Sequence, residues 1–151
     1  MTSGEKIPES AKARHYKELL VWQRSMLLAK LIYQLTQRFP ADERFGLTAL
    51  IRRTAISVPS SIAKGQARQE TRDFLQQLSH VDGSLAELET QLLLGVELGF
   101  CGKSDVEEPL KEIDELQRMI GAIARKLWSG SPLATRHSPL LPGEEKDSFQ
   151  S

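Results

Sequence analysis

The chain has 151 residues, and its 20 Lys and Arg balance its 20 Asp and Glu, so the formal net charge at pH 7 is zero. This length suits one domain with a hydrophobic core and is too short to expect two. The equal numbers of cations and anions exclude a strongly basic or strongly acidic chain. Only the distribution of the charges along the sequence can therefore indicate a charged partner. Residues 12–39 and 42–72 carry an excess of cations, whereas residues 73–100 hold five anions and no Lys or Arg.

Cys101 is the single cysteine, which excludes an internal disulfide and suits a reducing compartment. The N-terminus lacks a charged and apolar signal, and no apolar run reaches the length of about 18 residues that spans a bilayer. We therefore expect a soluble, cytoplasmic protein.

The first helix is predicted from Tyr16 to Phe39, where apolar residues recur every three or four positions. Residues 1–12 precede it and are polar, so we expect a flexible N-terminus. Pro40 ends the helix, and Asp42 is a candidate cap for the next one.

The second helix is predicted to run to Gly65 and to join an apolar stripe to a polar row. The row consists of Arg53, Ser57, Ser60 and Lys64. Pro59 lies inside this segment and removes a backbone donor, so we expect a kink there or a helix restart capped by Ser57. The polar row is either a binding face or the solvated face of an ordinary amphipathic helix.

The third helix is predicted to begin near Thr71, and its apolar residues recur every three or four positions until Gly99. Ser104 followed by Glu107 predicts a capping box for a fourth helix that ends at Leu127.

The four predicted helices are similar in length, about 23 to 27 residues, and short loops join them. This pattern favours an all-α fold, an up-down-up-down antiparallel four-helix bundle over residues 13–128. Residues 129–151 contain three prolines and several serines, which is typical of a disordered tail.

In an antiparallel bundle, the start of the first helix, the loop between the second and third helices and the end of the fourth helix would lie at the same end. The cations expected at that end are Lys12, Arg14, Lys17, Lys64, Arg68, Arg72, Arg125 and Lys126, opposed by Glu18, Glu70 and Asp73. Cations at helix C-termini complement the helix dipole, but those near N-termini do not. We therefore expect one basic and one acidic end, and the basic end is a candidate site for an anionic partner.

The second halves of the first and third helices are apolar over more than one face. One bundle seam needs only a stripe, so we predict a homo-oligomer interface there. Its predicted residues are Leu28, Leu31, Leu35, Leu93, Leu94 and Leu98. The alternative is a bundle that is simply wider at that end.

The patterns of catalytic sites are missing from the sequence. The three histidines do not pair with carboxylates at metal-ligand spacing, and Glu87 and Glu89 are two residues apart and point to different sides of a helix. Pairing of these glutamates with Arg52 or Arg53 is the expected use. We predict no enzymatic activity, no metal and no cofactor.

Three stretches carry a recognisable pattern: LLVWQRSMLLAKLIYQLTQRFPADERFGLT, IRRTAISVPSSIAKGQAR and DGSLAELETQLLLGVELGF. They resemble the four-helix-bundle family named after the intervening sequences of bacterial 23S ribosomal RNA, from about Tyr16 to Leu127. Accessory proteins of diversity-generating retroelements are distant relatives of that family. The resemblance implies a ring-shaped homopentamer of antiparallel bundles without enzymatic activity. For the retroelement relatives it also implies binding of nucleic acid and of a reverse transcriptase.

The residues that the resemblance carries over are Arg52, Arg53, Ser57, Pro59, Gly65, Glu87 and Glu89. The chain departs from the family pattern at Leu50, Ser61 and Lys64. The last departure matters most, because it replaces a glutamate by a cation beside Arg68.

The leading hypothesis is an oligomeric bundle that binds structured RNA or DNA by phosphate contacts, which carry little base reading. The predicted contact residues are Arg52, Arg53, Lys64, Arg68, Arg72 and Lys17. The alternative is an interaction scaffold for a protein partner such as a reverse transcriptase or another protein with an acidic surface.

Overall fold

The structure, a computed structural model, describes residues 16–130. The predicted flexible N-terminus and nearly all of the predicted tail lie outside this part of the chain. Within it, the fold is all-α with no strand. The α-helices are α1 (Leu20–Thr36), α2 (Leu47–Arg68), α3 (Thr71–Glu97) and α4 (Glu107–Ser129), and short 3-10 helices span Tyr16–Glu18, Ala41–Glu43 and Lys103–Val106.

The caps of α2 and α4 differ from the predicted ones. Glu43, and not Asp42, caps α2, because its carboxylate accepts a hydrogen bond from the Leu47 N–H at 2.9 Å. The predicted Ser104–Glu107 capping box does not form. Instead, Asp105 accepts a bond from the Gly102 N–H at 2.7 Å and closes the turn that leads into α4. Each carboxylate satisfies a backbone donor that a helix start would otherwise leave without a partner.

α2 is continuous through Pro59, so the predicted restart at Ser57 is wrong. The Ser57 hydroxyl donates to the Thr54 carbonyl at 2.7 Å and lies 3.2 Å from the Ser84 hydroxyl of α3. The flanking apolar residues Val58 and Ile62 are fully buried. Packing of this buried face holds the helix together although one backbone hydrogen bond is missing.

The core lies between the four helices, each of which packs on two neighbours: α1 on α2, α2 on α3, α3 on α4, and α4 on α1. Residues spaced three or four apart on every helix fill it, as the periodicity predicts. In α4, Leu116 is fully buried in the core, whereas its neighbour Gln117 is half-buried. These observations confirm a four-helix bundle.

Contacts between helices define two ends of the bundle. Gly65 near the end of α2 packs on Phe74 and Gln77 near the start of α3, and Arg125 late in α4 lines a cleft with Leu75. We call this the α2–α3 end. At the other end, Arg38 after α1 bonds Asp105 before α4 at 2.8 Å. We call it the α1–α2 end.

Two residues of the predicted oligomer interface are wrongly placed. Leu28 and Leu35 are 0% and 7% exposed and belong to the chain's own core, so they offer no surface to a second copy. Leu31 is half-buried. Leu93, Leu94 and Leu98 are exposed, and their role in an interface stays a prediction.

None of the helices in the described part of the chain is long and apolar enough to cross a membrane.

Candidate nucleic-acid interface

The α2–α3 end collects cations from several parts of the chain. Those within the described residues are Lys17, Lys64, Arg68, Arg72, Arg125 and Lys126, all exposed. Lys12 and Arg14, which were predicted to join them, lie outside the described residues. The anions Glu18, Glu70 and Asp73 lie at the same end. Cations therefore outnumber anions there by six to three among the described residues.

The turn between α2 and α3 sets the spacing of these cations. Lys64 and Arg68 are four residues apart and share one face of α2, about 6 Å apart along its axis. Gln69 then adopts a left-handed conformation with φ of 60°, which ends the helix. Only Glu70 separates it from α3, so Arg72 follows in the first turn of α3.

Gly65 allows α2 and α3 to approach closely at this end. A Cβ atom there would lie 2.8 Å from the Gln77 Cβ and 3.1 Å from the Phe74 ring. Both neighbours are anchored near the α3 backbone, so a side chain at Gly65 would push the helices apart. The glycine thus keeps the last turns of α2 against the first turns of α3.

The cations that α2 and α3 contribute to this end pair only weakly with anions of the described chain. The Arg68 guanidinium lies 3.8 Å from the Asp73 carboxylate, and its side chain is 64% exposed. An exposed pair of this length contributes little to stability. Within the described part of the chain, Lys64 and Arg72 make no ion pair. Their charges are thus available to an external anion.

Arg52 is not an available cation, which corrects the prediction. Its Nε donates to the Thr36 hydroxyl at 2.8 Å and its Nη2 to the Tyr33 carbonyl at 3.3 Å. The guanidinium carbon also lies 4.4 Å from the centre of the Tyr33 ring. Arg52 therefore joins α2 to the last turn of α1, where the carbonyl groups of a helix end favour a cation.

Arg53 is exposed, but it lies towards the other end of α2. Eleven residues separate it from Lys64, which corresponds to about 16 Å along the helix. The expected ion pairs of Arg52 or Arg53 with Glu87 and Glu89 do not form among the described residues. Arg53 extends the polar face of α2 without belonging to the α2–α3 end.

The charges of the α1–α2 end are used differently. Asp105 accepts bonds from the Gly102 N–H and from Arg38, and these bonds hold the pKa of its carboxyl below the usual value. Cys101 is half-buried beside them, and burial raises the pKa of its thiol. These residues organise the α3–α4 loop.

Two polar features are not evident from the sequence. Arg24 of α1 binds both carboxylate oxygens of Glu112 in α4, at 2.7 and 3.0 Å, and this bond raises the pKa of the guanidinium. Asp82 borders a cleft of about 210 Å³ between α3 and α4 together with Arg125, and burial raises the pKa of its carboxyl. Only knowledge of which helices are neighbours reveals either feature.

The fold and this site define a class: small all-helical bundles with a cationic end and, among the described residues, no group of side chains that could hold a metal. The sequence pattern of the family described as 23S rRNA-intervening sequence protein matches residues 17–122, well over half of the chain. The chain belongs to that family. No curated protein matches it.

Proposed function

We propose that the chain is a non-enzymatic, cytoplasmic four-helix bundle that binds structured RNA or DNA through phosphate contacts at the α2–α3 end. The observation that carries this proposal is the set of exposed cations there, of which Lys64 and Arg72 lack an anionic partner in the described chain. Its membership of a family named after an rRNA intervening sequence favours RNA as the nucleic acid.

The proposed contacts belong to the sugar-phosphate backbone. Lysine and arginine side chains on exposed helix ends reach phosphate oxygens readily and fix position without reading sequence. Lys64, Arg68 and Arg72 form the centre of the contact surface, and Lys17 extends it from the 3-10 helix before α1. Arg53 adds a contact only for a nucleic acid that follows α2 along its length.

The second part of the proposal is the assembly: antiparallel bundles arranged as a ring-shaped homo-oligomer, with five copies as the family resemblance implies. Contacts that join the end of one helix to the start of the next, such as Gly65 with Phe74, support the antiparallel arrangement. Several copies would multiply a modest number of cations into an extended phosphate-binding surface, because linked sites raise the overall affinity without new contacts.

Filter binding of fragmented rRNA over a salt series tests the nucleic-acid part. We expect the logarithm of affinity to fall linearly with the logarithm of salt concentration, with a slope of about 0.7 to 0.9 for each neutralised phosphate. Affinity that is undetectable at low salt, or that does not respond to salt, would contradict the proposal.

A protein scaffold is the second candidate, because an acidic protein surface would fit the same cations. Its partner would be an acidic protein such as a reverse transcriptase. In that case, replacing Lys64, Arg68 and Arg72 together abolishes recovery of the partner in a pull-down, while RNA binding of the unmodified chain stays at background.

A further inference from the structure

A groove of about 510 Å³ lies between α1 and α2, on the outside of the bundle. Its lining is mainly apolar: Trp22, Met26, Tyr33, Ile56, Pro59 and Ala63. Met26, Tyr33 and Ile56 are 46%, 39% and 43% exposed, so the chain's own core does not cover them. Contiguous exposed apolar surface of this kind marks an interaction site more often than a solvated face.

The outer face of α3 also carries features that the single chain does not explain. Glu87 and Leu94 are seven residues apart and therefore share one face of the helix, and Leu94 is 46% exposed. Gly83 lies one turn before Glu87. A Cβ atom there would meet nothing within 4 Å, and yet glycine in a helix interior is unfavourable. Close approach of another backbone would explain why a side chain is absent.

The charges of the two surfaces are complementary. Helices α1 and α2 contain no Asp or Glu, and Lys30 borders the groove. Beyond Arg72, α3 contains no Lys or Arg. Within the described chain, neither Lys30 nor Glu87 makes an ion pair. Opposite charges that stay unpaired in one copy can pair between copies.

The groove residues on α1 run from Trp22 to Tyr33, which is about 16 Å of helix. The 27-residue helix α3 is long enough to fill a groove of this length with the stretch from Gly83 to Leu94. We propose that the α1–α2 groove of one copy holds the Gly83–Leu94 face of α3 from a second copy.

This contact is heterologous, because different surfaces of the two copies meet. Repetition of such a contact closes into a ring when the rotation between copies permits it. The pairing rests on the homo-oligomer proposed above and assigns its surfaces: the groove on one side of each copy and α3 on the other. The groove lining reaches Tyr16 and Ala63 and does not include the cations of the α2–α3 end.

The first test exchanges the charges of the two surfaces. Lys30→Glu and Glu87→Lys each place like charges together, so each variant should lose the oligomer and run at the monomer mass of 16.9 kDa in mass photometry or sedimentation. The double variant restores opposite charges and should recover the oligomer. Lys111→Glu changes the same charge on the exposed side of α4 and is the matched control.

The outcomes separate this pairing from the proposed function. A monomeric wild-type chain would remove the homo-oligomer itself, and the pairing with it. If the oligomer persists in both single variants, the pairing is wrong but the homo-oligomer stands. The groove would then be open to another occupant, such as residues 131–151 or a different protein. RNA binding is measured on the same samples, so its loss or retention is recorded independently of assembly.

A second measurement locates the contact. In a Cys101→Ser background, one chain carries Lys30→Cys and another carries Glu87→Cys, the two positions that the pairing brings together, and mild oxidation of the mixture should give a disulfide-linked dimer. Each chain then carries a single cysteine, so a disulfide within one chain is impossible. Each variant oxidised alone is the control for linkage between identical cysteines. Failure of the mixture to cross-link while it stays oligomeric would overturn the pairing.

Discussion

The two ends of the bundle carry similar numbers of charged residues but use them differently. At the α1–α2 end, Arg38 and Asp105 pair at 2.8 Å, and the carboxylates of Asp105 and Glu43 also bind backbone N–H groups. At the α2–α3 end, Arg68 lies 3.8 Å from Asp73, and Lys64 and Arg72 make no ion pair within the described chain. Charges that cap helices and tie loops stabilise the fold, whereas charges without such partners are available for binding.

The largest effect should follow from removing the exposed cations of the α2–α3 end. We expect Lys64→Gln, Arg68→Gln and Arg72→Gln together to lower RNA affinity at low salt by about a hundredfold, and to lower the salt slope by about two to three. Fluorescence anisotropy over a salt series measures both quantities.

The matched control neutralises three cations of the α1–α2 end, Arg38, Arg44 and Lys103. This variant should retain the affinity and the slope of the wild-type chain. Equal losses in the two triple variants would show that net charge, and not the α2–α3 end, determines binding.

The second prediction concerns how the α2–α3 end is built. Gly65→Ala places a Cβ atom 2.8 Å from the Gln77 Cβ, so the two helices must separate. We expect a net loss of about 1 to 3 kcal/mol in the free energy of unfolding, although alanine favours helix over glycine. Urea denaturation measures it. Gly83→Ala is the control for the dissociated chain, because the open space around it in a single copy permits a gain of up to about 1 kcal/mol.

The third prediction distinguishes the two neighbouring arginines. Arg52→Met removes the bonds to Thr36 and to the Tyr33 carbonyl, so we expect a loss of about 1 kcal/mol in the free energy of unfolding and little change in RNA affinity. Arg53→Met, at an exposed position, should leave stability unchanged. A loss of RNA affinity in Arg52→Met at unchanged stability would restore Arg52 to the binding surface.

The helices were predictable because buried residues recur every three or four positions, and this periodicity needs no knowledge of tertiary contacts. Helix starts were less predictable. Glu43 and Asp105 cap backbone groups three or four residues away, and several acidic residues nearby could have done so equally well on sequence grounds. Loop conformation, which the sequence pattern does not encode, decides which carboxylate reaches the donor.

The candidate site was predictable only where its position depends on the order and length of the helices. Lys64, Arg68 and Arg72 were placed together correctly, because a short connection between two helices suffices to bring them to one end. The role of Arg52 depends on the register of α1 against α2, and the burial of Leu28 depends on which of two apolar faces turns inward. Periodicity alone determines neither property.

The smallest predicted effect is a pH dependence specific to the α1–α2 end. The Gly102 N–H and then Arg38 lower the pKa of Asp105 in the folded chain. A carboxyl whose pKa is lower in the folded state stabilises the fold above its unfolded pKa of about 3.9, and this contribution is lost as the pH falls through the folded pKa. Asp105→Asn should therefore lower the thermal midpoint at neutral pH, and the difference from wild type should shrink below about pH 3. A difference that stays constant between neutral and acidic pH would show that the Asp105 charge does not stabilise this end.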